Sequence, residues 1–178
     1  MSRFDSSPSR GAFTAVYDEN IWGVYGFIGY RVASREEAED LTQQTFERAL
    51  KAWSRFDPDR ASVRTWLLTI ARNLLIDYYR RESVAEAEPI DDRDAEGERL
   101  GSVAGPESNL GIEPNLERAI NGLSSREREL IAMRFGADLT GPEIAQLTGL
   151  TLANVQQILS RSLRRIRSRL EKEATTAA

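Results

Sequence analysis

The sequence predicts an all-α protein of two small helical domains joined by a flexible acidic linker. Three observations carry this. Apolar residues recur at steps of three and four through most of the chain, and no stretch keeps the period of two that a half-buried strand requires. Helix-start signals, a hydroxyl residue followed three positions later by Glu, stand at Ser34/Glu37, Ser124/Glu127 and Thr140/Glu143. Residues 83–115 lose all periodicity, hold few large apolar side chains and, from 84 on, carry nine acidic residues against two basic ones. The expected division is a tail over 1–11, a first domain over 12–82, the linker over 83–115, a second domain over 116–172 and a tail over 173–178.

Composition narrows the function. At 178 residues with 40% hydrophobic and 8% aromatic side chains, the chain is an ordinary globular protein. It has no cysteine and no histidine, so disulfides, zinc fingers, the usual transition-metal sites and imidazole acid–base chemistry are absent. No metal and no cofactor is expected. No signal peptide or run of eighteen apolar residues is visible, so no membrane insertion is expected and the cytoplasm is the expected location. The net charge of −4 hides a division: residues 1–83 balance twelve bases against twelve acids, whereas residues 116–178 hold ten bases and seven acids. Acid is concentrated in the linker and base at the end.

Residues 1–11, mostly Ser, Pro, Gly and Arg, read as a loose tail. Helical spacing runs from Ala12 to Arg31 through Phe13, Val16, Tyr17, Ile21, Val24, Tyr25 and Ile28. Gly23, Gly26 and Gly29 interrupt it at every third position. No strand precedes them and they do not form a phosphate-cradling loop. On one helix face they permit close approach of another element, at about 1 kcal/mol each in lost helix propensity.

Ser34 and Glu37 open a second helix that reaches about Trp53. Ala38, Leu41, Thr45, Phe46, Ala49, Leu50, Ala52 and Trp53 make its buried side, and Asp40, Gln43, Gln44, Glu47 and Lys51 form a separate polar stripe. Two glutamines and a short aspartate suit specific partner contacts more than bare solubility. Asp57-Pro58-Asp59 marks a loop, and helix resumes from Val63 to about Arg81. Val63, Leu67, Ile70, Ala71, Leu74 and Tyr78 point one way. Thr65, Thr69, Arg72, Asn73, Tyr79 and Arg80 point the other, with Trp66 at the boundary. Hydroxyls, an amide, arginines and rings on an exposed face suit nucleic acid, the rings by stacking on unpaired bases.

The second domain starts with a helix around Leu116–Gly122. Ser124 and Glu127 cap another that runs to Phe135, with Gly136 at its C-cap. Thr140 and Glu143 cap a short helix with Pro142 in its first turn, Gly149 ends it, and Thr151 caps a long one. Val155, Leu159, Leu163 (with Ser162), Ile166 and Leu170 form its apolar stripe, leaving Asn154, Gln156, Gln157, Ser160, Arg161, Arg164 and Arg165 outside. A short helix, a glycine turn and a second helix with amides and arginines near its start make a helix-turn-helix. Asn and Gln can pair bidentately with adenine and Arg with guanine, while the later arginines suit phosphates. An antiparallel pair with a solvated basic face would not need that set.

Three stretches, in fixed order, resemble the extracytoplasmic-function subgroup of the sigma-70 family of bacterial RNA polymerase sigma factors. They are Ala38-Glu-Asp-Leu-Thr-Gln-Gln-Thr-Phe46, Trp66-Leu-Leu-Thr-Ile-Ala-Arg-Asn-Leu-Leu-Ile-Asp-Tyr-Tyr-Arg-Arg81, and Glu143-Ile-Ala with Val155, Arg161 and Leu170. The resemblance covers residues 12–82 and 114–172. It implies a sigma-2-like bundle and a sigma-4-like helix-turn-helix, with core RNA polymerase and promoter DNA as partners and no catalysis of the chain's own; it also allows an anti-sigma factor. By resemblance, Asp40, Gln43, Gln44 and Glu47 dock on the polymerase. Arg64, Trp66, Thr69, Arg72, Asn73, Arg80 and Arg81, with the loop 56–63, engage the minus-ten element, where a base is held outside the stack. The helix 152–169 reads the minus-thirty-five element, and the linker threads toward the active-site and RNA-exit channels. Gln156 and Gln157 depart from the Lys and Ser common there, and Ser162 from a common Ala, which favours base reading over phosphate contact. Two other readings are weaker. A free-standing helix-turn-helix regulator lacks a sensing domain here, and a nuclease on Asp57, Asp59 and Asp77 lacks a cluster fixed by local spacing.

Overall fold

The structure, a computed structural model, describes residues 10–32, 34–85 and 113–176. Most of the expected linker and nearly all of the expected N-terminal tail lie outside the described residues. Within them are seven α-helices: α1 Arg10–Gly29, α2 Arg35–Ala52, α3 Val63–Ala85, α4 Pro114–Asn121, α5 Ser125–Ile131, α6 Gly141–Thr148 and α7 Leu152–Thr176. A single 3₁₀ turn, Trp53–Arg55, follows α2, and a widened turn of π-helix, Ala132–Gly136, follows α5. No strand occurs among the described residues.

Helix starts follow the local chemistry. The Ser34 hydroxyl accepts the Glu37 N–H at 3.1 Å while the Glu37 carboxylate accepts the Ser34 N–H at 2.9 Å. Ser124 and Glu127 repeat the exchange at 3.3 and 3.0 Å. At α6 the Glu143 carboxylate accepts both the N–H and the hydroxyl of Thr140, at 2.8 and 2.6 Å. Gly149, at φ 73°, ends α6 in the left-handed conformation that glycine adopts without penalty, and the Thr151 hydroxyl accepts the Asn154 N–H at 3.2 Å to start α7.

α1, α2 and α3 pack around Phe27, Ile28, Ala38, Leu41, Leu67 and Leu74, all buried. A second cluster, Ala119, Ile120, Leu123, Ile131 and Ile166, holds α4 and α5 against α7. The two halves are not merely tethered. Leu130, Met133, Leu139 and Ile144 of the C-terminal half join the same core as Leu68 and Leu75 of α3, all at most 2% exposed. Each such side chain contributes roughly 1.5–3 kcal/mol when fully buried. The glycines of α1 explain the fit. A Cβ on Gly26 would sit 2.4 Å from the Gly136 carbonyl oxygen, so only paired glycines let α1 and the π turn come this close. The expected role of Gly26 thus has a partner, and Gly23 lies on the same seam against Ala137.

Several expectations need correction. The helix expected to run to Phe135 ends at Ile131 and widens, the Ala137 N–H reaching back five residues to the Ala132 carbonyl at 3.0 Å. The last helix continues through Thr176, so the tail expected from residue 173 is helical at its start, and Glu173 meets Arg118 at 3.3 Å. Leu163 is 45% exposed, and Ser162 takes its place inside, its hydroxyl satisfied by the Ile158 carbonyl at 2.9 Å. Leu50 is likewise exposed. Tyr79 and Thr65 are buried rather than on the outer face of α3; the Tyr79 hydroxyl donates to the Arg31 carbonyl, and the Thr65 hydroxyl pairs with that of Ser62 at 2.9 Å.

Candidate nucleic-acid interface

Three surfaces carry the sequence-predicted residues. The first is the outer face of α7. Asn154, Gln156, Gln157, Ser160, Arg161, Arg164 and Arg165 are all exposed there. Asn154, Gln157, Arg161 and Arg164 follow one another at steps of three and four, hence along one face. Arg165 is at its edge and is engaged, donating to both carboxylate oxygens of Glu127 at 2.9 and 2.7 Å. Burial pushes the Glu127 carboxyl up, but the Ser124 N–H and Arg165 outweigh it and hold the group below the usual carboxylate range. Arg165 therefore braces α7 against α5 as well as adding positive charge.

The second surface is on α3. The Ser62 hydroxyl starts this helix, accepting the Thr65 N–H at 3.2 Å. Trp66, Thr69, Asn73 and Arg80 fall within an arc of about 60° on a helix of 100° per residue. Thr69, Asn73 and Arg80 are exposed, as are Arg64 and Arg81 beyond the arc. Trp66 is half-buried. Its ring centroid lies 5.0 Å from that of Phe56 and 5.9 Å from that of Trp53, which itself stacks on Phe56 at 5.3 Å. The loop 56–62 is thus pinned to the start of α3 by three rings, one edge of which stays open to solvent. Arg72 is not with this set. It points across the seam to Glu129 at 2.8 Å, and Arg126 holds the same carboxylate at 2.8 Å. Burial raises the Glu129 carboxyl, yet Arg31, Arg72 and Arg126 together bring it below its ordinary value.

The third surface is the stripe on α2. Asp40, Gln43 and Glu47 are exposed and Gln44 half-buried. They pair along the helix, the Gln44 amide donating to Asp40 at 2.6 Å and that of Gln43 to Glu47 at 2.9 Å. Beside the stripe, α1 and α2 leave a groove of about 990 Å³ lined by Phe13, Tyr17, Trp22, Gln43, Phe46 and Leu50. Sequence reasoning placed Tyr17 and Leu50 inside and gave Trp22 no role, yet Trp22 is 77% exposed. The only signal available was a tryptophan among α1's apolar residues but outside their stripe.

No three acidic, His or Cys side chains gather into a metal-holding group among the described residues, and Asp77 faces Arg48 at 3.8 Å. No helix among them is long and apolar enough to cross a membrane.

Comparison with known proteins adds the following. Residues 16–84 match the family model of sigma-70 region 2, and residues 119–168 that of sigma-70 region 4. The chain is 32% identical over 162 residues to the ECF RNA polymerase sigma factor RpoE of Cereibacter sphaeroides, covering 90% of this chain and 87% of that one. It is also 32% identical over 167 residues to the ECF RNA polymerase sigma factor BldN of Streptomyces coelicolor, covering 92% of this chain but 62% of BldN's length. In fold it is similar to the sigma factor RpoE of Bartonella quintana, solved with the anti-sigma factor NepR, with a TM-score of 0.69 at 21% identity over 89% of this chain and 96% of that one.

Proposed function

Since this chain belongs to the extracytoplasmic-function subgroup of the sigma-70 family of RNA polymerase sigma factors, we propose that it binds core RNA polymerase and directs initiation at promoters whose minus-thirty-five and minus-ten elements it reads. The observation that carries this is the pairing of two reading surfaces on one chain. α7 offers amides and arginines at helical spacing for a major groove, and α3 offers an open aromatic edge beside Thr69, Asn73 and Arg80 for an opened strand.

Each surface takes a distinct share. Asn154, Gln157 and Arg161 contact base edges at the minus-thirty-five element, with Gln156 and Ser160 beside them; Arg164 and Arg165 flank them toward the backbone. Trp66 and the loop 56–62 receive an unstacked base at the minus-ten element, with Thr69, Asn73, Arg80 and Arg81 along its strand and Arg64 and Arg72 at the covered edge. Taking a base out of the stack costs a few kcal/mol, which the ring edge offsets. Asp40, Gln43, Gln44 and Glu47 dock on the polymerase, and the acidic linker 83–115 follows its RNA path. The chain acts in the cytoplasm beside the polymerase, performs no chemistry itself and needs no cofactor. An anti-sigma factor belongs to the same reading, as the Bartonella relative was solved with one.

Run-off transcription with core polymerase on a genomic library tests this. Transcripts from defined starts that depend on the chain are expected; no stimulation of initiation and no co-elution with core polymerase would refute it.

A further inference from the structure

The groove between α1 and α2 is rich in apolar side chains, whereas the α2 stripe beside it is polar. Phe13 and Tyr17, in the first two turns of α1, meet Phe46 edge-on with ring centroids 6.5 and 4.7 Å away, and all three line the groove. Trp22 and Leu50 line it too, 77% and 47% exposed. Large apolar side chains grouped in water in this way mark a surface that another segment covers. Gln43 and Glu47 of the stripe belong to the same lining.

We infer that residues 1–9 fold back along α1 and seat Phe4 in this groove, and that core polymerase displaces them when it docks. The second half of this rests on the proposed docking role of Gln43 and Glu47.

Length, residue type and charge select this segment. Along α1, Tyr17 lies on the order of 10 Å from the helix start at Arg10. The six-residue step from Phe4 to Arg10 spans about 20 Å when extended. That is enough for the chain to reverse and still reach the rings. Ser6-Ser7-Pro8-Ser9, directly before α1, holds the residue types that favour such a turn. Phe4 is the one aromatic residue of the segment, and a further ring packs favourably against rings already set edge-on. Arg3 precedes it. Arg35 and Glu39, which also line the groove, pair with each other at 2.7 Å, which leaves Glu47 as the acid for Arg3 to meet. An arginine held there occupies a carboxylate of the docking stripe, so groove and stripe cannot serve residues 1–9 and polymerase together.

The chain has no cysteine, so a spin label on Ser2→Cys in the full chain is unambiguous. In NMR spectra the label is expected to broaden the Leu50 methyl and Trp22 indole signals and to spare those of Leu163 on α7. Adding Phe4→Ala to the labelled chain is expected to relieve the broadening. Without the label, Phe4→Ala is expected to bind core polymerase several-fold more tightly than wild type, with helical content unchanged.

Sharp Leu50 and Trp22 signals in the labelled chain, or broadening that Phe4→Ala does not relieve, would overturn the seating of Phe4. Broadening that passes from a labelled chain to an isotopically enriched chain without a label would put a second copy in the groove and overturn it equally. Relief of the broadening with no gain in core affinity would overturn the competition. If neither wild type nor Phe4→Ala binds core polymerase, the docking reading falls, while the broadening still decides whether residues 1–9 lie in the groove.

Discussion

Arg72 of α3 and Glu129 of α5 stand 57 residues apart in sequence and meet at 2.8 Å, with the carboxylate 1% exposed and Arg126 on its other side. Arg31 faces the same buried carboxylate, so its charge is balanced from both halves of the chain. Glu129→Ala would leave Arg72 and Arg126 without their shared acceptor and is expected to destabilise the chain by about 3 kcal/mol. Glu129→Gln, which keeps the shape and one acceptor, should cost less. Urea unfolding followed by circular dichroism measures both.

Acid should act on the same pair. Glu129 and Glu127 both titrate below the ordinary carboxylate value in the folded chain. A lowered folded value gives stability that is complete above the unfolded value of about 4.3 and is lost as pH falls through the folded one. Tm is therefore expected to be flat near neutrality and to drop below about pH 4. The drop should be smaller in Glu129→Gln. Calorimetry across this range checks it.

The starts of α2, α5 and α6 were legible in the sequence because a capping box is local: a hydroxyl and a Glu three residues on identify it without the rest of the fold. The two helical modules and the exposed polar face of α7 were legible for the same reason, since 3.6-residue periodicity needs no distant partner. What covers α3 was not. Tyr79 meets the carbonyl of Arg31, 48 residues away, and Leu68 and Leu75 share their core with Leu130, Met133, Leu139 and Ile144 of the other half. Leu163 and Ser162 show a subtler limit. Adjacent positions compete for one stripe, and hydropathy favours leucine, but the inner slot of α7 takes the serine, whose hydroxyl finds the Ile158 carbonyl.

On α7, the exposed face and the braced edge separate by experiment. Arg161→Ala or Gln157→Ala is expected to cost about 1–3 kcal/mol in binding at the minus-thirty-five element with Tm unchanged. Arg165→Ala should lower Tm as well, since Glu127 then loses its cation. Transcription from promoters mutated at that element, alongside thermal melts, distinguishes them.

Asp40 is exposed and, among the described residues, bonded only along its own helix, to Gln44. Asp40→Lys is expected to leave folding stability within about 0.5 kcal/mol of wild type, as for surface substitutions generally. Affinity for core polymerase should fall. Co-elution with core enzyme, with a melt of the same sample, reads both.

In the proposed function two helical modules read two DNA elements together once mounted on polymerase, and footprinting on a recovered promoter tests this most directly. With core enzyme and the chain both present, two separate protected patches are expected, with permanganate-reactive thymines at the downstream one. Equal protection by the chain alone, or a single patch with no opened bases, would contradict it.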